Sequence, residues 1–302
     1  MRRPEIHSLA HRHVPGRGPV QVELVGRGLG SETFLVSRDG LRYSLRVAPA
    51  GGRRAPLDDS WEYRVRALAG RAGLAPAVLA WDPAAGILVA RWVEGCAFDA
   101  GAAGEAHNLA RIADFLRRVH ALETPEPART AGPAEWIAGY ERATAGRAGV
   151  VAADGAALRA EAGRRLATLE LCGPAARSLC HSDLHALNLV ETGTVLVALD
   201  WEYAHVNDPL WDLAGWSRNC DFDARLSHDL VTAYLGRRPE AAEWARFGAL
   251  SWLYDYVCLL WSETYLGQDE RHPDFAALAR AQRIASRLES APGGSADEVP
   301  AD

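Results

Sequence analysis

The stretch HSDLHALN, residues 181–188, sets two His, an Asp and an Asn close together in a short polar segment. A second segment, LDWEYA, follows at residues 199–204 and carries Asp200 near its start. The β-forming runs RSLCH and TVLVALD lead into the two segments. The pattern predicts two loops at the ends of paired strands, where Asp183, Asn188 and Asp200 can face one cavity.

These side chains are a set that suits phosphoryl transfer from ATP. In that reaction a carboxylate accepts the proton of the attacking hydroxyl, and oxygen ligands hold Mg²⁺ against the phosphates. We assign Asp183 as the base, and Asn188 and Asp200 as metal ligands. Glu202, in the same loop as Asp200, either joins the metal or pairs with an Arg. ATP and Mg²⁺ are therefore the expected cofactors.

The composition narrows the class of protein. A chain of 302 residues with 48% hydrophobic side chains is long enough for two lobes with sizeable cores. Its formal net charge of −6 and its pI near 5.9 lack the basic excess of a nucleic-acid binder. No apolar run reaches about 18 residues, the length of a membrane span. Neither nucleic acid nor a membrane is therefore an expected partner.

Cysteine and lysine usage restricts the chemistry and the compartment. The five Cys are scattered and form no CxxC pair, which argues against a disulfide framework and a Cys-rich zinc site. The N-terminal MRRPEIHSLAHRH has no apolar stretch behind its basic residues, so we expect no secretory signal and a cytoplasmic protein. The chain has no Lys, which excludes a Walker A phosphate loop and a Schiff base.

The order of elements predicts an α+β protein with a β-rich part before a helical part. The first part contains candidate strands and one amphipathic helix, at 20–26, 33–38, 41–48, 60–72, 77–81 and 86–93. The second part contains candidate helices at 107–122, 156–171, 209–216, 227–235, 241–261 and 274–288. We predict a nucleotide-binding lobe over 1–93, a lobe with the catalytic loop and substrate site over 94–290, and a disordered tail over 291–302.

The spacing HxDxxxxN followed by an Asp at a strand end resembles the protein-kinase-like superfamily. The segments HSDLHALNLV and ALDWEYAHVNDPLWDLA look like its small-molecule branch, the aminoglycoside phosphotransferase and choline kinase family. They are most similar to bacterial choline/ethanolamine and thiamine kinases. The resemblance implies a two-lobed kinase-like fold and ATP- and Mg²⁺-dependent phosphorylation of a small alcohol, with cationic alcohols such as choline and thiamine among the candidates.

The resemblance extends to the nucleotide-binding lobe. The Gly-rich turn GRGLGSETFLV (26–36) would bring the backbone of Gly28, Gly30 and Ser31 close to phosphate oxygens. The run YSLRVA is similar to a strand of choline kinases in which Arg replaces the usual phosphate-binding Lys. The resemblance then implies that Arg46 binds phosphate, that Glu62 holds Arg46 in place, and that the hinge RWVEG binds adenine with the backbone of Arg91, Trp92 and Val93.

One face of the helix predicted over 241–261 could line a substrate site or belong to the hydrophobic core. Trp252, Asp255 and Tyr256 lie at i, i+3 and i+4, and aromatic rings beside a carboxylate suit a quaternary ammonium or thiazolium cation. A helix that is apolar nearly all round is also typical of a core. Trp216 and Asn219 complete the predicted substrate set. Asn219 stands where choline kinases have an acid, a departure that puts choline itself in question.

Several alternatives remain open at this point. An aminoglycoside or sugar phosphotransferase would share the motifs, and a nucleotide-binding pseudokinase would act as a regulator. A protein kinase is disfavoured because only residues 203–207 separate the metal-binding Asp from the next helix signal, which leaves no activation segment. His181 is expected to order its loop, and Asp212 to brace that loop from the next helix. Neither the acceptor nor the oligomeric state follows from the sequence.

Overall fold

A computed structural model describes residues 3–27, 31–48, 59–146, 149, 154–266 and 275–290. The strands within these residues are β1 (Gln21–Arg27), β2 (Glu32–Arg38), β3 (Leu41–Val47), β4 (Val78–Asp82), β5 (Ile87–Arg91), β6 (Cys96–Ala97), β7 (Ser178–Cys180), β8 (Leu189–Glu191), β9 (Leu196–Ala198) and β10 (His205–Asn207). The helices are α1 (Arg3–His13), α2 (Asp59–Arg71), α3 (Ala106–His120), α4 (Pro133–Thr144), α5 (Gly155–Leu171), α6 (Leu210–Asn219), α7 (Ala224–Leu235), α8 (Ala241–Leu266) and α9 (Phe275–Ser290).

The chain divides into two compact units. The first unit comprises the described residues of Met1–Phe98, Leu122–Pro127 and Ala186–Ala204. The second unit comprises those of Asp99–Ala121, Ala128–His185 and His205–Asp302. The first unit is rich in β-structure and the second is mainly helical, so the sequence order of elements predicted the α+β class correctly.

The first unit contains a five-stranded antiparallel sheet in the order β1-β2-β3-β5-β4. Strand β3 shows the period of two that makes such a sheet two-faced, since Tyr43, Leu45 and Val47 are buried and the residues between them are less so. Arg46 therefore points to the face opposite these apolar side chains. The turn before β3 is an Asp-Gly pair, Asp39 and Gly40, with positive φ at both residues.

Helix α1 packs against the sheet and was not predicted. Its buried residues Ile6 and Ala10, with Val14 just beyond the helix, join one cluster with Val36 and Leu45 of the sheet. The apolar positions are spaced at four but are separated by Arg and His residues, which is why the sequence favoured a mostly β segment.

Two further elements of the first unit frame its polar residues. Helix α2 buries Trp61, Val65 and Ala69 along one face, and the Trp61 Nε1–H donates to the carbonyl oxygen of Ala204 at 2.6 Å. A small antiparallel sheet has the order β6-β8-β9 and sets Leu189 opposite Ala198. This hairpin ends at the polar residues of the second quoted segment.

The second unit is built around α8, which contacts α4, α5, α6 and α9. Large side chains on several faces of α8 are buried, among them Trp244, Phe247, Leu253 and Tyr254. The two-stranded sheet of β7 and β10 pairs Cys180 with His205. It places the 181–185 loop directly after β7. None of the helices in the described part of the chain is long and apolar enough to cross a membrane.

The observed bounds differ from the predicted ones mainly at the ends. The helix predicted over 241–261 continues to Leu266, and the short strands β6, β8 and β10 and helix α4 were not predicted. The three strands have only two or three residues each, too short a pattern for a period to emerge, whereas α4 has 12 residues and was overlooked. The predicted tail at 291–302 lies outside the described residues, and the division into lobes at residue 93 stays a prediction.

Candidate active site

Five charged side chains of the first unit meet in an arginine–carboxylate cluster, formed by Arg46, Glu62, Arg66, Asp200 and Glu202. Arg46 Nη2 lies 2.7 Å from Glu62 Oε2, and Arg66 Nε lies 2.6 Å from Glu62 Oε1. Asp200 Oδ1 lies 3.5 Å from Arg46 Nη1 and 3.3 Å from Arg66 Nη2. Two guanidinium groups therefore connect the carboxylate of α2 with the one that follows β9.

The local structure explains why these groups meet. Arg46 leaves β3 on the face away from the apolar cluster, and Glu62 and Arg66 lie four residues apart on α2, on one side of the helix. The carbonyl oxygen of Asn188 accepts a hydrogen bond from Leu199 N at 2.7 Å, which extends the β8–β9 hairpin by one step. Asn188 and Asp200 therefore lie at the same end of that hairpin.

The backbone at Asp200 adopts a conformation that most residues avoid. Its φ is +55°, in the left-handed region that costs a side chain other than Gly about 1–3 kcal/mol. Ser182, just before Asp183, has a φ of +68°. Both predicted functional loops therefore contain one strained residue beside or at the predicted functional carboxylate.

The cluster contains three carboxyl groups and two guanidinium groups. Burial, with the nearby charges of Asp200 and Glu62, raises the pKa of Glu202 to about 7. Burial acts to lower the pKa of Arg46, but the carboxylates of Glu62, Asp200 and Glu202 raise it above its ordinary value. Two cations face three carboxyl groups, so an added cation would be attracted.

The donor set fits a hard divalent cation. Asn188 offers an amide oxygen, while Asp200 and Glu202 offer carboxylate oxygens, the ligands that Mg²⁺ takes in proteins. Burial is the main cause of the raised pKa of Glu202, followed by the charges of Asp200 and Glu62, and a bound divalent cation would favour the ionised form of Glu202. These residues could hold a metal, and Arg46 is the cation beside them for phosphate oxygens.

Two of the three backbone N–H groups of the predicted hinge already donate hydrogen bonds to neighbouring backbone carbonyls. The backbone N–H of Arg91 donates to the Ala77 carbonyl at 2.8 Å, and that of Trp92 donates to the Arg42 carbonyl at 3.1 Å. Within the described residues, the N–H of Val93 has no acceptor. Of the three backbone N–H groups of the hinge, it is therefore the one that could donate to adenine. Gly28 and Gly30 of the predicted phosphate loop lie outside the described residues, and Ser31 precedes β2.

In the second unit, a buried carboxylate fixes the 181–185 loop. Asp212 Oδ2 accepts from His181 N and Asp212 Oδ1 accepts from Ser182 N, each at 2.7 Å. Asp183 N donates to His181 Nδ1 at 3.3 Å, and the His181 side chain is fully buried. The predicted brace by Asp212 is present, and the burial of His181 agrees with its ordering the loop.

A histidine from α3 completes this brace. His120 Nε2 lies 3.1 Å from Asp212 Oδ2, and His120 Nδ1 lies 2.8 Å from the Tyr234 hydroxyl. Burial acts to raise the pKa of Asp212, but the hydrogen bond and charge of His120, with His181 and the Ser182 N–H, hold it below its ordinary value. Asp212 is therefore an ionised acceptor in a buried site.

Asp183 itself remains partly open to solvent. Its side chain is 33% exposed, and His185 Nε2 lies 4.0 Å from Asp183 Oδ2. The adjacent Leu184 carbonyl accepts a hydrogen bond from Asn219 Nδ2 at 3.2 Å. The Asp183 side chain is thus partly exposed on a loop whose backbone is held by Asp212 on one side and by Asn219 on the other.

The predicted substrate face of α8 is taken up by protein contacts. Asp255 is 2% exposed and pairs with Arg218 at 2.5 Å and Arg287 at 2.7 Å. The Tyr256 hydroxyl lies 3.3 Å from Glu141 Oε1. Trp216 and Trp252 are buried as well. The geometry favours the alternative that the sequence left open, in which this face belongs to the core because its polar groups are already engaged.

Three polar residues of these arrangements were not found from the sequence. Arg66 was overlooked although its i, i+4 spacing from Glu62 could have indicated the pair. His120 ends α3 among other basic residues, and no local pattern separates it from them. Arg280 donates to Asn219 Oδ1 at 3.1 Å, a contact between helices that the sequence does not signal.

Comparisons with known proteins identify the family and the fold. A family model described as the phosphotransferase enzyme family matches residues 21–250. A search of curated proteins found no match. A choline/ethanolamine kinase family protein from Mesorhizobium loti has a similar structure, with a TM-score of 0.78, 26% identity, and coverage of 97% of this chain and 97% of that one.

Two more distant structures share the fold. Choline kinase LicA from Streptococcus pneumoniae, also solved in complex with AMP, aligns with a TM-score of 0.76 and 23% identity over 95% of this chain and 99% of that one. A mutant of aminoglycoside phosphotransferase APH(4)-Ia aligns with a TM-score of 0.61 and 20% identity over 91% of this chain and 96% of that one. The chain therefore has the kinase-like α+β fold that the sequence predicted.

Proposed function

We propose that this chain, which belongs to the phosphotransferase enzyme family, transfers the terminal phosphoryl group of ATP to a hydroxyl group of a small molecule, with Mg²⁺ as the metal. The observation that carries the proposal is the arginine–carboxylate cluster at the end of the β8–β9 hairpin. It combines oxygen ligands for a metal with a cation for phosphate oxygens, the two kinds of group that stabilise a transferring phosphoryl group.

In this proposal the first unit binds the nucleotide. Mg²⁺, when bound, would neutralise charge on the phosphates. Asn188, Asp200 and Glu202 would be its ligands, and Arg46, fixed by Glu62, would pair with phosphate oxygens. The LicA complex with AMP, a structure with 23% identity, is consistent with a nucleotide site in this fold.

The nucleotide's base and phosphates would also use the backbone. The free N–H of Val93 would donate to adenine, and the backbone at Gly28, Gly30 and Ser31 would approach the phosphates. Arg91 and Trp92 would support the hinge through their sheet hydrogen bonds rather than donate to adenine.

Asp183 would act as the base. Its carboxylate accepts the proton of the acceptor hydroxyl as the new bond from that oxygen to the γ-phosphorus forms and the bond from the γ-phosphorus to the leaving oxygen of ADP breaks. The loop that carries Asp183 is fixed by Asp212, so the carboxylate need not be ordered at the moment of reaction.

The acceptor class is less constrained than the reaction. The structural likeness to a choline/ethanolamine kinase family protein supports a small amino alcohol, and the sequence resemblance adds thiamine. An aminoglycoside or sugar acceptor is the second candidate, because an aminoglycoside phosphotransferase has the same fold. A regulator without activity is disfavoured because Asp183, Asn188 and Asp200 are all present. The five described cysteines are free and scattered, as in proteins of a reducing compartment, so a cytoplasmic location is part of the proposal.

The test measures ADP release by the purified chain with ATP and Mg²⁺. Choline, ethanolamine, thiamine, glycerol and an aminoglycoside are the first acceptors to compare. We expect acceptor-dependent release that Asp200→Ala abolishes and the matched control Asp114→Ala, at an exposed site on α3, leaves intact. In a thermal-shift titration, Asp200→Ala should also lose the stabilisation by ATP and Mg²⁺. Equal stabilisation of Asp200→Ala and the wild type would contradict the metal role.

A further inference from the structure

A chain of hydrogen bonds connects α9 to the loop that carries Asp183. Arg280 Nη2 donates to Asn219 Oδ1 at 3.1 Å, and Asn219 Nδ2 donates to the Leu184 carbonyl at 3.2 Å. The same Asn219 amide nitrogen lies 3.0 Å from the Tyr254 hydroxyl. Two hydrogen bonds therefore separate the Arg280 guanidinium from the backbone of the residue next to the proposed base.

Position 219 works in this arrangement only as an amide. A carboxylate there would accept from Arg280 and Tyr254 but could not donate to the Leu184 carbonyl. Asn219 therefore orients the loop and adds no negative charge beside it. At position 219, therefore, α6 places a neutral amide and not a carboxylate against the loop.

The neighbouring carboxylates are already neutralised. Asp255 pairs with Arg218 and with Arg287, and Arg287 also lies 2.6 Å from Asp221. Arg280 differs from these two arginines. Among the residues that the structure describes, it has no carboxylate within 4.0 Å, and its hydrogen bond goes to a neutral amide.

The negative charge of Asp183 acts on Arg280. Burial acts to lower the pKa of Arg280, but Cys258, Tyr254, Asp183 and Asp255 raise it. Burial also raises the pKa of Cys258 to about 12 and that of Tyr254 above its ordinary value, so both groups are neutral at pH 7. The negative charges that act on Arg280 are therefore those of Asp255, which other arginines neutralise, and Asp183.

We propose that the acceptor alcohol carries an anionic group, a carboxylate or a phosphate, and that Arg280 binds it while the hydroxyl lies at Asp183. The inference rests on the proposed phosphoryl transfer to a hydroxyl group and departs from the amino alcohols that the structural likeness supports. A guanidinium offers several N–H donors in one plane, which match the two oxygens of such a group. A quaternary ammonium at the same place would meet a half-buried positive charge whose hydrogen bond goes to the neutral amide of Asn219 and not to a carboxylate.

The experiment compares acceptors that differ in charge but carry similar hydroxyl groups. Glycolate, glycerate and glycerol 3-phosphate are the anionic set, ethylene glycol and glycerol the neutral set, and ethanolamine and choline the cationic set. Binding is measured by thermal shift of the full chain with ADP and Mg²⁺, and turnover by ADP release from ATP. The variants are Arg280→Gln, Arg280→Lys and the control Arg283→Gln, at an exposed site on the same helix.

We expect members of the anionic set to stabilise the wild type and Arg283→Gln and to be preferred in turnover. Arg280→Gln should lower kcat/KM for them by about 10- to 100-fold, the scale of a hydrogen bond to a charged group, with KM for ATP unchanged. Arg280→Lys should recover part of the loss because it keeps the charge. The carboxylate and phosphate members show which anionic group fits.

The outcomes separate the inference from the proposed function. Binding of anionic acceptors that depends on Arg280, without any turnover, would support the acceptor site and count against phosphoryl transfer. Turnover that favours choline or ethanolamine, or anionic acceptors that respond equally to Arg280→Gln and Arg283→Gln, would overturn the inference and leave the phosphotransferase intact. No binding and no turnover with any anionic compound would also overturn it.

Discussion

Arg66 on α2 reaches Asp200, with 3.3 Å between Arg66 Nη2 and Asp200 Oδ1. The same guanidinium holds Glu62, which in turn holds Arg46. Arg66 therefore occupies one oxygen of a proposed metal ligand and also fixes the partner of the proposed phosphate-binding cation. In the cluster as described, it supplies positive charge beside Asp200.

Replacing Arg66 should weaken the fold and strengthen its response to metal. Arg66→Gln removes a partner of the buried Glu62, so we expect the free energy of unfolding to fall by about 1–3 kcal/mol. The loss of one positive charge leaves Asp200 and Glu202 less neutralised. We therefore expect Mg²⁺ alone to raise the Tm of this variant more than that of the wild type. A thermal-shift titration with MgCl₂ measures both effects.

The control for that variant is Arg71→Gln, at the exposed end of the same helix. It should leave both the Tm and its response to Mg²⁺ unchanged. A smaller Mg²⁺ response in Arg66→Gln than in the wild type would show that Arg66 helps to hold the metal rather than competing for its ligand.

Replacing the Arg46 side chain by that of Lys or Ala should impair the use of ATP. Arg46 bonds Glu62 with one terminal nitrogen and approaches Asp200 with the other, a division that the single ammonium of Lys cannot reproduce. We expect Arg46→Lys to keep the fold and lower kcat/KM for ATP, and Arg46→Ala to lower it further. Glu62→Gln should resemble Arg46→Lys, because it frees the cation without removing it. Steady-state kinetics with varied ATP provide the comparison.

Exchange at Arg71 is again the matched control, and Arg71→Lys should behave like the wild type. If Arg46→Ala used ATP as well as the wild type does, the phosphate-binding cation would lie elsewhere in the chain.

Asp183 should control turnover and not nucleotide affinity. Asp183→Asn keeps the shape of the side chain but removes the proton acceptor, so we expect kcat to fall by about a hundredfold or more. KM for ATP should change little, since the base acts on the acceptor hydroxyl. ADP release with a saturating acceptor measures kcat, with Asp229→Asn, at an exposed site on α7, as the control. Near-normal turnover of Asp183→Asn would refute its assignment as the base.

The sequence predicted those parts of the site that lie close together along the chain. Asp183 follows β7, Asn188 immediately precedes β8 and Asp200 follows β9, so one local motif contained all three residues. The contacts of Arg66 with Asp200 and of Arg280 with Asn219 join residues that lie far apart along the chain. Arg66 meets Asp200 across 134 positions, and Arg280 meets Asn219 across 61. Contacts of that range depend on how the elements pack, which residue spacing does not encode.

The fold shows the same division between local and distant information. The period of two predicted β2 and β3, and the period of 3.6 predicted α3, because each pattern is complete within one element. The aromatic face of α8 could be read as substrate site or as core, since a helix with apolar residues on several sides has no unique outward face. Its arginine partners from other helices, and not its own sequence, favour the core.

Asp212 stabilises the 181–185 loop and is not proposed to touch the substrate. Its replacement therefore tests how the position of that loop affects stability and turnover. Both of its oxygens accept backbone N–H groups, and an amide at this position could accept with only one atom. We expect Asp212→Asn to lower the free energy of unfolding by about 2–4 kcal/mol, as for a broken buried network. It should also lower kcat while leaving nucleotide-induced stabilisation intact, since the displaced loop carries Asp183 and not the cluster.

The pH dependence distinguishes this role from a general loss of packing. The pKa of Asp212 in the folded protein lies below its ordinary value of 3.8, so its ionised form is bound more favourably in the folded state than in the unfolded one. Its contribution is therefore complete well above pH 3.8 and is lost as the pH falls through the folded-state pKa. Denaturant titrations between about pH 3 and 7 should show the difference between the wild type and Asp212→Asn shrinking at the acid end. A difference that stays constant over that range would mean that packing of the side chain, and not its charge, holds the loop.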